Sequence, residues 1–422
     1  MMRIPHILAF IILLSVLTGA VFGAERFPPP QFDDHELPVT TVPEPRADLY
    51  EYLDVAVLLA ALSLASYLAL KKRSRRGIFI LGIFSLLYFG FWRKGCVCSI
   101  GSIQNIALAL FESSYSIPVT VIAFFILPLI FTLLFGRTFC AAVCPLGAIQ
   151  DVVALRPVKV PSWLEHALAL LAYVYLGAAV LFAATGSAFI ICEYDPFVAF
   201  FRRSGSLNML VLGACFILIS VFVGRPYCRF LCPYGVLLNL VSKASKWHVT
   251  ITPNECIQCR LCEDACPFDS IEKPTPEQGV RNRGEGKKRL AILIALLPVF
   301  IVLTSWLGFY ISTPLSRVHS TVSLAERIWM EDTGKVEGIT DASEAFRKTG
   351  RPTQELYGEA LNLKKKFVLG GGVFGAFVGL VIGIKLIYLS VRRRRTDYEI
   401  NRGTCVSCGR CFSFCPIEHK RL

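Results

Sequence analysis

Two stretches of the chain carry four cysteines apiece at the same spacing. Cys256, Cys259, Cys262 and Cys266 are followed by Pro267, and Cys405, Cys408, Cys411 and Cys415 by Pro416, so both stretches read C-x2-C-x2-C-x3-C-P. Three closely spaced thiolates wrap one face of a cubane cluster. Where two such runs occur, the fourth Cys, turned away by the following Pro, ligates the other cluster. The spacing therefore predicts two [4Fe–4S] clusters. Cys256, Cys259, Cys262 and Cys415 hold one, and Cys405, Cys408, Cys411 and Cys266 hold the other. Structural zinc usually takes its four ligands as two separated pairs, unlike four cysteines within the eleven residues 256–266. Disulfides belong to oxidising compartments, and the topology argued below puts both runs in the cytoplasm.

Three further cysteine motifs follow apolar segments. Gly136-Arg137-Thr138-Phe139-Cys140 leads to Cys144-Pro145-Leu146-Gly147, and Gly224-Arg225-Pro226-Tyr227-Cys228 leads to Cys232-Pro233-Tyr234-Gly235, sharing G-R-x2-C-x3-C-P-x-G. Paired spacing, repetition and the adjacent Arg favour a cofactor or dithiol redox role for Cys140, Cys144, Cys228 and Cys232 over the packing role common for buried thiols. They are a candidate third redox site. A looser copy, Cys96-Val97-Cys98 before Gly101, lacks the Pro and falls on the opposite side of the membrane, where Cys192 is its partner. These three cysteines form either a disulfide plus a free thiol or part of a further cluster site, the oxidising compartment favouring the disulfide. Cys215, alone in an apolar segment, reads as packing.

The elements that must position these residues are membrane helices. The chain has 422 residues, of which 54% are hydrophobic, and a mean hydropathy of +0.55. Spans need about 20 apolar residues, and the candidates are 5–23, 51–70, 77–92, 117–135, 163–184, 207–223, 290–310 and 367–391. Segment 5–23 is a first helix or a signal peptide, given the small residues Gly19 to Ala24. The predicted fold class is thus a predominantly α-helical multi-pass membrane protein of seven or eight spans. A small α+β iron–sulfur module is assembled on it from two separated halves.

Lys71 to Arg76, Arg137, Arg156, Lys159, the basic 225–289 region and Arg392 to Arg395 share one side, which the positive-inside rule makes cytoplasmic. The expected organisation is 1–24 signal peptide or helix, 25–50 Pro-rich extracytoplasmic linker, 51–247 multi-pass domain with the C-x-C and C-x3-C-P motifs, and 248–289 the first cytoplasmic half. A span at 290–310, an outer loop at 311–366 with short amphipathic helices, a Gly-rich span at 367–391 and the second cytoplasmic half at 392–422 complete it. Gly371, Gly375, Gly379 and Gly383 form a small-xxx-small face that invites the 290–310 span. His319 in the outer loop is a possible ligand or quinone contact, though a lone His is more often structural. The net charge of +13 sits in basic runs at helix ends, which topology accounts for without nucleic acid.

With these motifs, residues from about 77 to the end resemble the NosR/NapH family of membrane-bound polyferredoxins. The resemblance rests on the two C-x3-C-P motifs after membrane helices and on the split ferredoxin cysteines. It implies a bacterial inner-membrane carrier of electrons between the quinone pool or a cytoplasmic donor and an extracytoplasmic acceptor. Some members support expression or maturation of reductases, which is the alternative role. The residues before 51 leave no room for the outer flavin-binding domain of NosR, so flavin is expected only through a partner flavoprotein. No substrate pocket is evident, and an electron-transfer subunit is expected rather than a self-contained enzyme.

Overall fold

The computed structural model describes residues 47–95, 98–155, 157–203, 206–251, 257–275, 283–391 and 395–416. Segment 5–23, Cys96 and Cys256 lie outside them. Five described helices are long and apolar enough to cross a membrane: α1 (Asp48–Leu70), Arg75–Trp92, Ser162–Ala184, Gly286–Ser316 and Thr353–Ser390. Segment 75–92 starts as α2 (Arg75–Ser85), where Ser74 caps the first turn by accepting from Gly77 N at 3.2 Å. It then loosens into a π-helical stretch, Leu86–Trp92. The expected spans at 117–135 and 207–223 form shorter helices, α3 (Val119–Phe135) and α4 (Leu207–Phe222), of 17 and 16 residues. The main core lies between these helices, and Phe89, Phe139, Tyr227 and Tyr234 are among its members.

The last two long helices, α5 (Arg283–Ser316) and α6 (Thr353–Ser390), pack side by side as a hairpin. Their seam is the glycine face expected from the sequence. A Cβ at Gly371 would sit 2.7 Å from the Gly308 carbonyl, and one at Gly375 would run into the Thr304 carbonyl. Such backbone proximity makes dispersion contacts that larger side chains forbid. Both helices run past the apolar stretches, to Ser316 and back to Thr353, and the connecting residues form helices Ser320–Asp332 and Asp341–Lys348. The polar extensions hold because they enclose a small core of Val322, Ile328, Phe346 and Leu356. Glu326 ties them together by pairing with both Arg317 and Lys364 at 2.9 Å. His319 caps the first of these helices, its Nδ1 accepting from Thr321 N at 3.1 Å. That contact is a structural role.

The hairpin brings the two cysteine runs together. Strand β1 (Ile271–Glu272) pairs antiparallel with β2 (Glu399–Ile400), Ile271 opposite Ile400 and Glu272 opposite Glu399. Asn401 N donates to Ser270 O at 2.8 Å and Thr275 N to Arg395 O at 3.0 Å, extending the pairing at both ends. Residues more than a hundred positions apart thus share one small sheet.

Candidate iron–sulfur sites

Each cysteine run folds into the same loop. Gln258 and Arg260 in the first, and Ser407 and Gly409 in the second, all have positive φ, at 54°, 63°, 54° and 73°. These positions correspond when the runs are aligned on their cysteines. A five-residue helix follows each loop, Leu261–Ala265 and Arg410–Phe414. Left-handed residues at such intervals turn successive N–H groups to one side, a concavity suited to an anionic centre. One donor of that kind is visible, Ser407 N to the Cys405 Sγ at 3.4 Å.

Cys266, from the first run, lines a single cavity with Cys405, Cys408 and Cys411 of the second, walled by Val249, Phe268 and Ile271. Burial pushes the Cys405 thiol up to about 12, with Cys408 and Cys266 adding to it and the Ser407 N–H opposing. Cys411 is raised in the same way, by burial first and then by Cys408, Cys405 and Cys266. These four thiols therefore face one another in a water-poor space, which fits a [4Fe–4S] cluster with those four ligands. Of the other set, Cys259 is exposed, Cys262 buried and Cys415 half-buried. No three His, Cys, Asp or Glu side chains among the described residues close on a single-ion geometry. A cubane differs in meeting its thiolates at separate corners.

The two C-x3-C-P motifs interlock reciprocally. A Cβ on Gly147 of the first would come 3.1 Å from Arg225 of the second, and one on Gly235 of the second 3.6 Å from Arg137 of the first. At Gly147 a side chain would crowd the Arg225 guanidinium, whereas at Gly235 the Arg137 guanidinium lies at ordinary van der Waals distance. The four cysteines converge between them. Burial raises the Cys144 and Cys232 thiols well above the usual range, with Cys228 and Cys140 adding to the effect on both. Every sulfur also has an N–H donor. Gln150 Nε2 reaches Cys228 at 3.3 Å, Gly235 N reaches Cys232 at 3.3 Å, Arg137 Nη2 approaches Cys140 at 3.7 Å, and the Gly147 N–H faces Cys144. Donors of this kind favour thiolate and tune a metal–sulfur centre. Tyr227, 1% exposed beside this group, has a hydroxyl with no hydrogen-bond partner among the described residues.

The cysteine runs dock directly on these motifs. Arg137 Nη1 donates to Gly403 O at 3.0 Å, Arg229 Nη1 to Pro267 O at 3.2 Å, and Arg75 Nη1 to Cys408 O at 3.1 Å. Cys140 packs with Phe268, Val406 and Cys408, so the candidate third site abuts the crossed set. Asp151 is the hub that sequence reasoning left without a role. It pairs with Arg75 at 2.8 Å and with Arg225 and Arg410 at 3.3 Å each. Burial alone would raise its carboxyl, but the three guanidinium groups hold it well below the usual range. Arg225 also donates to the Cys140 and Ala141 carbonyls and is kept in a left-handed conformation, φ 49°, just before Pro226. The signal for this hub was present only as the repeated G-R pair.

At the other end of segment 75–92, beyond Trp92, lies Cys98. A small apolar cavity lined by Phe89, Phe124 and Phe139 touches both Cys98 and Cys144. Past it is a cavity of about 240 Å³ whose lining includes Cys98, Cys192, Asp54, Arg93, Asp195 and Arg202. Arg93 Nε pairs with Asp54 at 2.7 Å. Cys98 and Cys192, paired in the sequence reading, thus line one cavity. Cys215 is half-buried.

Comparison with known proteins matches residues 117–162 and 206–252 to a 4Fe–4S binding domain model, and residues 249–272 to another. The first model thus spans the C-x3-C-P motifs. An uncharacterised protein of Methanocaldococcus jannaschii is 28% identical over 43% of this chain and 77% of its own length. The putative electron transport protein YccM of Escherichia coli is 26% identical over 33% of this chain and 43% of its own. Regulatory protein NosR of Pseudomonas aeruginosa is 28% identical over 51% of this chain and 33% of its own. The alignments thus span less than half of the two named relatives. No solved structure matches.

Proposed function

We propose that the chain, similar to membrane-bound polyferredoxins of the NosR/NapH type and matched by 4Fe–4S binding domain models, relays electrons across the membrane. The proposed route runs between a cytoplasmic or quinol donor and an acceptor on the other side. Bound clusters supply one-electron transfer. The chain's own residues hold them, set their potentials through N–H donors and burial, and keep water away.

In this reading Cys405, Cys408, Cys411 and Cys266 hold one cluster, and Cys256, Cys259, Cys262 and Cys415 the other. Cys140, Cys144, Cys228 and Cys232 carry the path inward. The observation that supports it most directly is the single cavity shared by Cys266 with the three cysteines of the distant run. The abutting of Cys140 on Cys408 supports the next link. Lys/Arg distribution supports a cytoplasmic position for the ferredoxin halves, in the inner membrane. The name borne by the NosR relatives favours a second reading, a regulatory or maturation factor whose clusters sense redox state.

Anaerobic purification followed by iron analysis and an EPR redox titration separates these readings. A relay holds about eight irons or more in clusters that reduce and reoxidise without iron loss. Zinc in place of iron ends the cluster assignment, and iron loss on oxidation favours the sensor.

A further inference from the structure

Cys98 and Cys192 lie where a relay would have to deliver its electrons, yet neither belongs to the ferredoxin runs or the C-x3-C-P motifs. They occupy opposite exposures of one cavity. Cys192 is exposed and Cys98 is only partly so. Gly101 sits between them: the position of its missing Cβ is 3.2 Å from the Cys192 Sγ and 3.8 Å from the Cys98 carbonyl. An accessible thiol backed by a more sheltered one is the arrangement that thiol–disulfide exchange requires, the first attacking and the second resolving.

The surroundings suit that chemistry. The cavity, of about 240 Å³, sets the charged groups of Asp54, Arg93, Asp195 and Arg202 among apolar walls that include Val121, Phe124 and Ile191. Asp195 lines this cavity and also the apolar one that touches Cys144, and it is 3% exposed. A carboxyl is thus at hand for the proton of Cys98. Burial raises that carboxyl to about 6, which suits proton exchange near neutral pH.

We propose that Cys98 and Cys192 form a dithiol–disulfide couple that passes electrons to disulfides of proteins on the side of the membrane away from the ferredoxin halves. This rests on the relay proposed above as the source of reducing equivalents. Two electrons, arriving singly, and two protons convert the Cys98–Cys192 disulfide to two thiols. The Cys192 thiolate then attacks one sulfur of the partner disulfide, forming a mixed disulfide and releasing one partner thiol. Cys98 attacks the Cys192 sulfur, releases the second partner thiol and restores the internal bond. The net reaction is RSSR + 2 electrons + 2 protons to 2 RSH.

The test uses the full chain, purified with its clusters, oxidised with ferricyanide, alkylated and digested for mass spectrometry. A peptide pair linked through Cys98 and Cys192 is expected, with neither residue alkylated. Dithionite should open it in the wild type and leave it closed in Cys140→Ser, where the path inward is cut. Cys192→Ser should leave Cys98 alkylable under oxidising conditions. Cys98→Ser, lacking the resolving thiol, should accumulate a mixed disulfide on Cys192 when insulin is added as a disulfide probe. Alkylation of both residues in the oxidised wild type, or a link through Cys96 instead, overturns the proposal. Equal opening of the link in wild type and Cys140→Ser overturns its coupling to the relay. EPR of the ferredoxin clusters on the same samples keeps the two readings apart. Reversible clusters without the link sink the dithiol couple alone, whereas a link with clusters that do not reduce sinks the relay.

Discussion

Asp151→Asn removes one negative charge from the point where three parts of the chain meet. Its side chain is 7% exposed and touches Arg75 at the start of the second long helix, Arg225 of the second C-x3-C-P motif and Arg410 of the distal cysteine run. At an effective dielectric near 20, each pair attracts by roughly 4 kcal/mol at 4 Å. Desolvation of the charged groups takes back most of that. What remains after substitution is a cluster of cations without a counter-ion, Arg225 among them at 2% exposure. Breaking a buried pair from one side costs about 3–5 kcal/mol. With an unfolding entropy of about 2 cal/mol/K per residue over 422 residues, that is a fall of roughly 3–6 °C in Tm.

The folded Asp151 carboxyl titrates below its unfolded value, so its contribution is present above the unfolded pKa and is lost as pH falls towards the folded one. The difference between wild type and Asp151→Asn should accordingly be full at pH 7 and shrink below about pH 4. Thermal unfolding in detergent, followed by tryptophan fluorescence and by cluster absorbance, measures both. The second probe should fall first, because Arg410 helps dock the distal run. A variant with Tm unchanged at pH 7 and clusters intact would refute the idea that this carboxylate joins the halves to the membrane domain.

Three other outcomes follow from the geometry. Cys266→Ala should empty the site shared with Cys405, Cys408 and Cys411, lowering iron by about four of eight atoms and removing one EPR signal; loss of the cluster on Cys259 and Cys262 instead would disprove crossing. Asp195, raised by burial to about 6, binds its proton more tightly folded than unfolded, so stability falls as pH rises from about 4 to 6. Asp195→Asn should then stabilise the protein above pH 6 by up to about 3 kcal/mol and leave it unchanged below pH 4, as Tm against pH would reveal. Gly375→Leu drives a side chain into the Thr304 backbone and should cost about 1–3 kcal/mol by overpacking. Because the hairpin carries the two halves, cluster EPR should weaken together with Tm.

The cysteine runs were legible as cluster candidates because their short-range spacing suits few other common sites. The hairpin was legible too, since four glycines at intervals of four can only be a close-approach face. What escaped is everything decided by convergence. Asp151 and Arg410 are 259 positions apart, and nothing local in either marks the pairing. Arg137 and Arg225 were visible as a repeat, but their crossing over one another's glycine depends on how two interrupted helices meet. The helical extensions at Ser316 and Thr353 were hidden because polar residues there read as loop until a partner core, built by Phe346 and Leu356, gives them a dry face. Likewise, Cys98 and Asp195 could not be placed beside the inner motifs from hydropathy, which registers depth only for regular spans.

The proposed crossed ligation, between runs separated by the helical hairpin, would also impose an order on biosynthesis. When Cys266 leaves the ribosome, the residues that complete its site begin 139 positions later, at Cys405. At translation rates of roughly 5–20 residues per second, its thiol waits about 7–28 s before a partner exists. During that interval both helices of the hairpin must be inserted and the glycine seam closed. Under crossed ligation neither centre could be filled by the nascent first half alone, and metal loading would be confined to chains that have finished translation and insertion. A truncated or misinserted chain would expose unliganded thiols, and such a chain is distinguishable by its reactivity from a completed one.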